Sequence, residues 1–207
     1  MKKAILTLFV ALISMYVYGQ SNDGTETKQF KKDKISRVQK CRTFYIALSG
    51  GFNNNTGIIG VNLDWAVADH FALDAGVGIS TWGEKLYLCG KYFLKPCHLG
   101  WAFGTGITYN TGESDFHDNL ETVDGDTEPV ELKLNSQTNV LLAAYRYWNL
   151  GKGSSRFYLE LGYSIALSSD KFIQIAGTPI SDNSTRAINL ISPGGLIAAI
   201  GFSFGVK

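Results

Sequence analysis

The sequence predicts an all-β fold, an eight-stranded antiparallel up-and-down transmembrane β-barrel preceded by a cleaved signal peptide. Three observations predict it. An N-terminal pair of lysines precedes an uncharged apolar run. Eight later segments alternate large apolar residues with small ones at period two, the mark of half-buried strands. Only 18% of the 207 residues are charged, whereas about 25–35% is usual for a water-facing surface. The near-even balance of 19 Lys+Arg against 18 Asp+Glu excludes a nucleic-acid binder that works through a basic face. An aromatic content of 13% with 23 glycines and four prolines excludes a disordered or collagen-like chain.

Residues 1–19 read as the signal peptide. Lys2 and Lys3 precede the run AILTLFVALISMYVY at 4–18, and the small residue Gly19 follows. The run is short for a bilayer-spanning helix, which needs about 20 apolar residues. Cleavage is expected near Gly19 or Gln20. No cysteine follows that point closely, which argues against a lipoprotein anchor. Residues 20–42 form a basic polar segment with Lys28, Lys31, Lys32, Lys34, Arg37 and Lys40. It reads as a mobile tail or as a segment touching anionic headgroups.

The barrel is expected over 43–207, with strands at 44–52, 57–67, 71–82, 85–94, 99–109, 135–148, 156–167 and 196–206. Each is about the 9–11 residues that a tilted strand needs to cross a bilayer. One face carries Leu, Ile, Val, Phe, Trp and Tyr, and the other mainly Gly, Ala, Ser, Thr and Asn. An eight-stranded barrel is just wide enough for its inward side chains, so the bulky set is expected outside and the small set inside. The charged residues of the small face, Asp64, Asp74, Lys91, Arg146 and Glu160, then form a barrel-interior charge network. Charges of both signs in a narrow lumen predict a closed salt-bridge plug; an ion path is the competing reading. Trp65, Phe71, Trp82, Tyr92, Tyr109, Tyr147 and Trp148 are expected in an interfacial girdle.

With the N-terminus in the periplasm, the long connections 110–133 and 168–194 face outward, and the turns at 68–70, 95–98 and 149–155 face the periplasm. Connection 110–133 carries Glu113, Asp115, Asp118, Glu121, Asp124, Asp126, Glu128 and Glu131. It is expected to be a solvated, self-repelling loop; its spacing does not match an EF-hand. Of three cysteines, Cys89 and Cys97 flank one hairpin, whose register would set Cys89 opposite Trp101 or Ala102 and so argues against their pairing. His70 and His98 fall in periplasmic turns and His117 in the acidic loop. No metal site or cofactor is expected. Ser114, Asp115, His117 and Asp118 share that loop, so a rim enzyme acting on lipid is an alternative to a non-enzymatic barrel.

Residues 49–52 (SGGF), 71–80 (FALDAGVGIS), 99–109 (LGWAFGTGITY), 157–163 (FYLELGY) and 199–204 (AIGFSF) resemble the eight-stranded outer-membrane β-barrel families of the OmpA/OmpX transmembrane-domain type. The resemblance is one of texture and covers about 43–207. It implies a Gram-negative outer-membrane location and insertion by the barrel-assembly machinery. Contact with outer-membrane lipid, a monomeric state and the absence of a periplasmic cell-wall-binding domain are also expected. Such families usually end on an aromatic residue, whereas this chain ends Phe204-Gly205-Val206-Lys207. A structural or surface-interaction role through the external loops is expected, with a narrow channel for small molecules as a further alternative.

Overall fold

The structure, a computed structural model, describes residues 42–150 and 155–206. The expected signal peptide and nearly all of the basic segment lie outside the described residues. Among the described residues, eight strands close into an antiparallel barrel. They are β1 (Phe44–Phe52), β2 (Ile59–Ala68), β3 (Phe71–Ser80), β4 (Gly83–Lys95), β5 (Leu99–Asn110), β8 (Gln137–Asn149), β9 (Ser155–Ala166) and β11 (Gly195–Val206). Each wall strand pairs with its neighbour in the ring, and the first strand meets the last, Phe44 opposite Val206 and Phe52 opposite Ala198. No edge is left open in the wall, which removes the hazard of unpaired backbone donors and acceptors.

The alternation sorts side chains as volume demands. On β2, Ile59, Val61, Leu63 and Trp65 point out while Gly60, Asn62 and Asp64 point in. The outward set runs on around the wall, Val61 beside Val77, Val77 beside Leu86, and Leu86 beside Tyr109. Leu161 is 63% exposed and Tyr163 56%, whereas Asp74 is 1% exposed and Glu160 2%.

At the short-turn end every wall strand contributes an outward aromatic: Phe44, Trp65, Phe71, Tyr92, Trp101, Trp148, Phe157 and Phe204. Phe44 stacks on Trp65, and Trp148 on Phe157. Of the residues expected in an interfacial girdle, Tyr109 is outward at the opposite end of the wall, and two are not on the outer wall at all. Tyr147 points into the lumen, and Trp82 is 0% exposed beneath the external elements.

The expected acidic loop is a folded element. Beyond the barrel rim the β5–β8 hairpin continues as β6 (Glu113–Glu121) and β7 (Thr127–Leu134), interrupted only at Thr111-Gly112 and Asn135-Ser136. β10 (Phe172–Ala176) adds to β7, giving a three-stranded sheet in the order β10-β7-β6. Helix α1 (Asp182–Ile191) starts at Ser181, whose hydroxyl accepts from the Ser184 amide, and stops before Pro193. Trp82, Val130, Leu132, Leu134 and Ile188 form a buried cluster there, with Phe116, Leu120, Phe172 and Ile180 at its margin. The Trp82 indole donates to the Asn135 carbonyl at 2.9 Å. Several of the carboxylates are satisfied by neighbours, Glu128 accepting from the Thr178 hydroxyl at 2.7 Å and Glu121 from the Ser181 hydroxyl at 3.3 Å, while the apolar side chains close a small second core.

Candidate functional site

In the lumen, several wall strands bring polar and ionised side chains together. Across β2 and β3, Asp64 and Asp74 stand directly opposite each other. Two like charges so placed would repel, and each has a cation reaching from another strand. Lys91 of β4 forms an ion pair with Asp74, and Asn62 donates to Asp74 at 2.8 Å. Arg156 of β9 bridges to Asp64 at 3.1 Å. Its remaining N–H groups donate to Ser203 Oγ at 3.1 Å and to the His98 carbonyl at 2.8 Å.

Five tyrosines, Tyr45, Tyr87, Tyr145, Tyr147 and Tyr158, fill the space between these pairs. The Arg156 guanidinium lies 3.4 Å from the Tyr45 ring centre and the Lys91 ammonium 4.4 Å from that of Tyr145. Lys91 also donates to the Tyr147 hydroxyl at 3.1 Å. Rings over cations recover part of the hydration lost on burial.

Above this layer the turn between β1 and β2 folds down into the barrel. Asn54, Asn55 and Thr56 are buried. Asn55 donates to Glu160 and, at 2.9 Å, to the Tyr145 hydroxyl. The Lys85 ammonium donates to the Asn54 carbonyl at 2.8 Å. Glycine at 78 admits this turn, since a Cβ there would lie 2.0 Å from the Thr56 carbonyl oxygen. On the facing wall Thr108 is opposite Asn139, and Asn110 opposite Gln137. Thr108 Oγ1, Asn110 Nδ2, Gln137 Oε1 and both amide atoms of Asn139 are buried without a partner among the described residues. The outer part of the lumen therefore keeps unspent hydrogen-bonding capacity. A cleft of about 90 Å³ beside Lys85 and Asn110, under the end of α1, has room for about three waters.

Four of the five expected interior charges, Asp64, Asp74, Lys91 and Glu160, are in this network. The fifth, Arg146, is not. On β8 the inward residues are Gln137, Asn139, Leu141, Ala143, Tyr145 and Tyr147, which puts Arg146 on the outer wall. Its guanidinium lies 5.5 Å from the ring centres of both Trp101 and Trp148. It thus lies toward the short-turn end of β8, among the outward aromatics of that end.

Two interior cations, Lys85 and Arg156, were absent from the expected set. Period two already places both on inward faces, Lys85 with Tyr87, Cys89 and Lys91, and Arg156 with Tyr158 and Glu160.

In the short turn between β4 and β5, the 3-10 segment Pro96–His98 buries His98. Its Nε2 lies 3.0 Å from the Ala68 carbonyl and its ring is edge-on to Phe93. Burial lowers its pKa, against the opposing pull of the Asp64 carboxylate. Cys97 is disulfide-bonded, and Cys89, opposite Gly106 in the register, is a buried free thiol. Cys41 lies outside the described residues.

Ser114 Oγ donates to Asp115 Oδ2 at 3.2 Å, while His117 pairs across the hairpin with Glu131 in the register. Among the described residues no three His, Cys, Asp or Glu side chains are grouped to hold a metal ion. No family model, no curated protein and no solved structure matches the chain.

Proposed function

We propose that this chain is an outer-membrane β-barrel protein with a structural or surface-interaction role, its lumen closed and its contacts made by the external sheet and α1. The single observation that carries the reading is the sorting of side chains across the wall. Every wall strand turns large apolar residues outward, and the ionised groups within the wall, Asp64, Asp74, Lys85, Lys91, Arg156 and Glu160, face the lumen, with Glu84, Lys95 and Arg146 outward only toward strand ends. The largest apolar patch of an ordinary soluble monomer is about 300–600 Å², and an apolar wall running right around a barrel belongs in hydrocarbon. A disulfide at Cys97 supports an oxidising compartment such as the periplasm. Asp64, Asp74, Lys91, Arg156 and Glu160 are all almost fully shielded from solvent, which supports a plug over a wide aqueous pore.

The test is fractionation of cells expressing the full chain. The protein is expected in the outer-membrane pellet, resistant to carbonate extraction, and slower on a gel after boiling than before. Release into the soluble fraction with no heat-dependent mobility overturns the proposal.

A further inference from the structure

At the short-turn end of the outer wall, two cations stand close together and, among the described residues, neither is in an ion pair. Arg146 is one, held between the Trp101 and Trp148 rings. Lys95, exposed at the end of β4, is the other. Both converge beside Gly100: a Cβ built there would lie 3.4 Å from Lys95 Cδ and 3.5 Å from Arg146 Nη1. Gly100 adopts a φ of +80°, a conformation that L side chains rarely take, and it is buried where the two cationic side chains meet. The ion pairs found among the described residues, Lys91–Asp74 and Arg156–Asp64, both lie in the lumen and take no part in this cluster.

A planar guanidinium presents paired N–H donors that match two oxygens of a phosphate, and ring stacking fixes its plane. Lys95 supplies a second positive charge on a flexible stem. Flanking indoles are the side chains that settle at the level of lipid headgroups. We propose that Arg146, Lys95, Trp101 and Trp148 form a binding site for the phosphodiester of one anionic phospholipid, in the leaflet around the short-turn end of the barrel. This rests on the membrane reading above. A choline headgroup would bring its own cation against Lys95, so a net anionic headgroup is the one selected.

The test is native mass spectrometry of the full chain released from nanodiscs of phosphatidylglycerol and phosphatidylcholine in equal amounts. The unaltered chain is expected to retain phosphatidylglycerol over phosphatidylcholine by roughly tenfold. The Lys95→Gln, Arg146→Gln double variant should bring that ratio to about one. Lys95→Glu, a single exposed change that leaves the wall intact, should fall below the parent. Equal retention of both lipids by the parent, or a parental ratio in the double variant, overturns the site. In a second arm, inorganic phosphate is added to the chain in zwitterionic micelles, and no adduct is expected. An adduct as persistent as phosphatidylglycerol makes free phosphate the occupant and overturns the lipid assignment. Heat-shifted gel mobility is read on the same samples. A chain that never inserts overturns both this site and the membrane reading, whereas an inserted chain without headgroup preference overturns this site alone.

Discussion

Removing Asp74 would leave the Lys91 ammonium buried with the Tyr147 hydroxyl and ring faces as its company. Breaking a buried pair from one side costs about 3–5 kcal/mol, so Asp74→Ala should lower the midpoint of urea unfolding in micelles markedly. Asp74→Ala with Lys91→Met should recover much of the loss, because the stranded charge is then gone; a double variant no more stable than the single one rejects this account. His98 supplies a pH-dependent part. Its pKa is lowered in the folded chain, so on acidification the unfolded chain takes up the proton first. The stabilising difference is complete above the ordinary histidine value of about 6.5 and is lost as pH falls toward the lowered folded value. Between about pH 7.5 and about pH 5, the parent should therefore lose more stability than His98→Gln. Equal losses would remove His98 from the explanation. The lumen was largely legible in the sequence because a charge at an inward period-two position has nowhere else to go. Arg146 was not. Thr138, Val140, Leu142 and Ala144 give the outer face of β8 little contrast with Gln137, Asn139, Leu141 and Ala143 inside. Charge alone then pointed inward, whereas a long side chain at a strand end can lie outside among interfacial rings.

At the scale of elements, the external sheet and α1 depend on Trp82. The residue sits in the two-residue turn between β3 and β4 yet is the centre of the second core. Trp82→Ala should cost this core about 3–5 kcal/mol, expose the β6–β7 hairpin to limited proteolysis, and leave the heat-dependent gel shift in place. Loss of that shift would show that the external elements hold the wall together as well. The wall strands were readable because alternation persists over whole segments. The external sheet was hidden because β6 carries only Phe116 and Leu120 toward the cluster, among acids on both sides. Val130, Leu132 and Leu134 do alternate on β7, and that was the available signal. The partner that makes it meaningful, Ile188 on α1, comes from a connection whose helix is short and polar in composition.

For the molecule as a whole, the expected change in gel mobility follows from the ring of wall pairings. Detergent finds no open wall edge among the described strands at which to begin separating them, so the unheated barrel should stay compact and run fast until boiling breaks it. The two ends also differ in charge. Acids crowd β6, β7 and their turn, while Lys95 and Arg146 stand at the opposite rim. Such a polarised molecule should orient in one sense relative to anionic surfaces. The pairing of β1 with β11 bears on how the protein is made. Phe44 waits for Val206, so a nascent chain has no partial ring in which to rest, and until its final strand arrives both β1 and β9 keep a bare flank. Closure is thus tied to the arrival of β11, and in the interval those flanks are open to pairing with other chains.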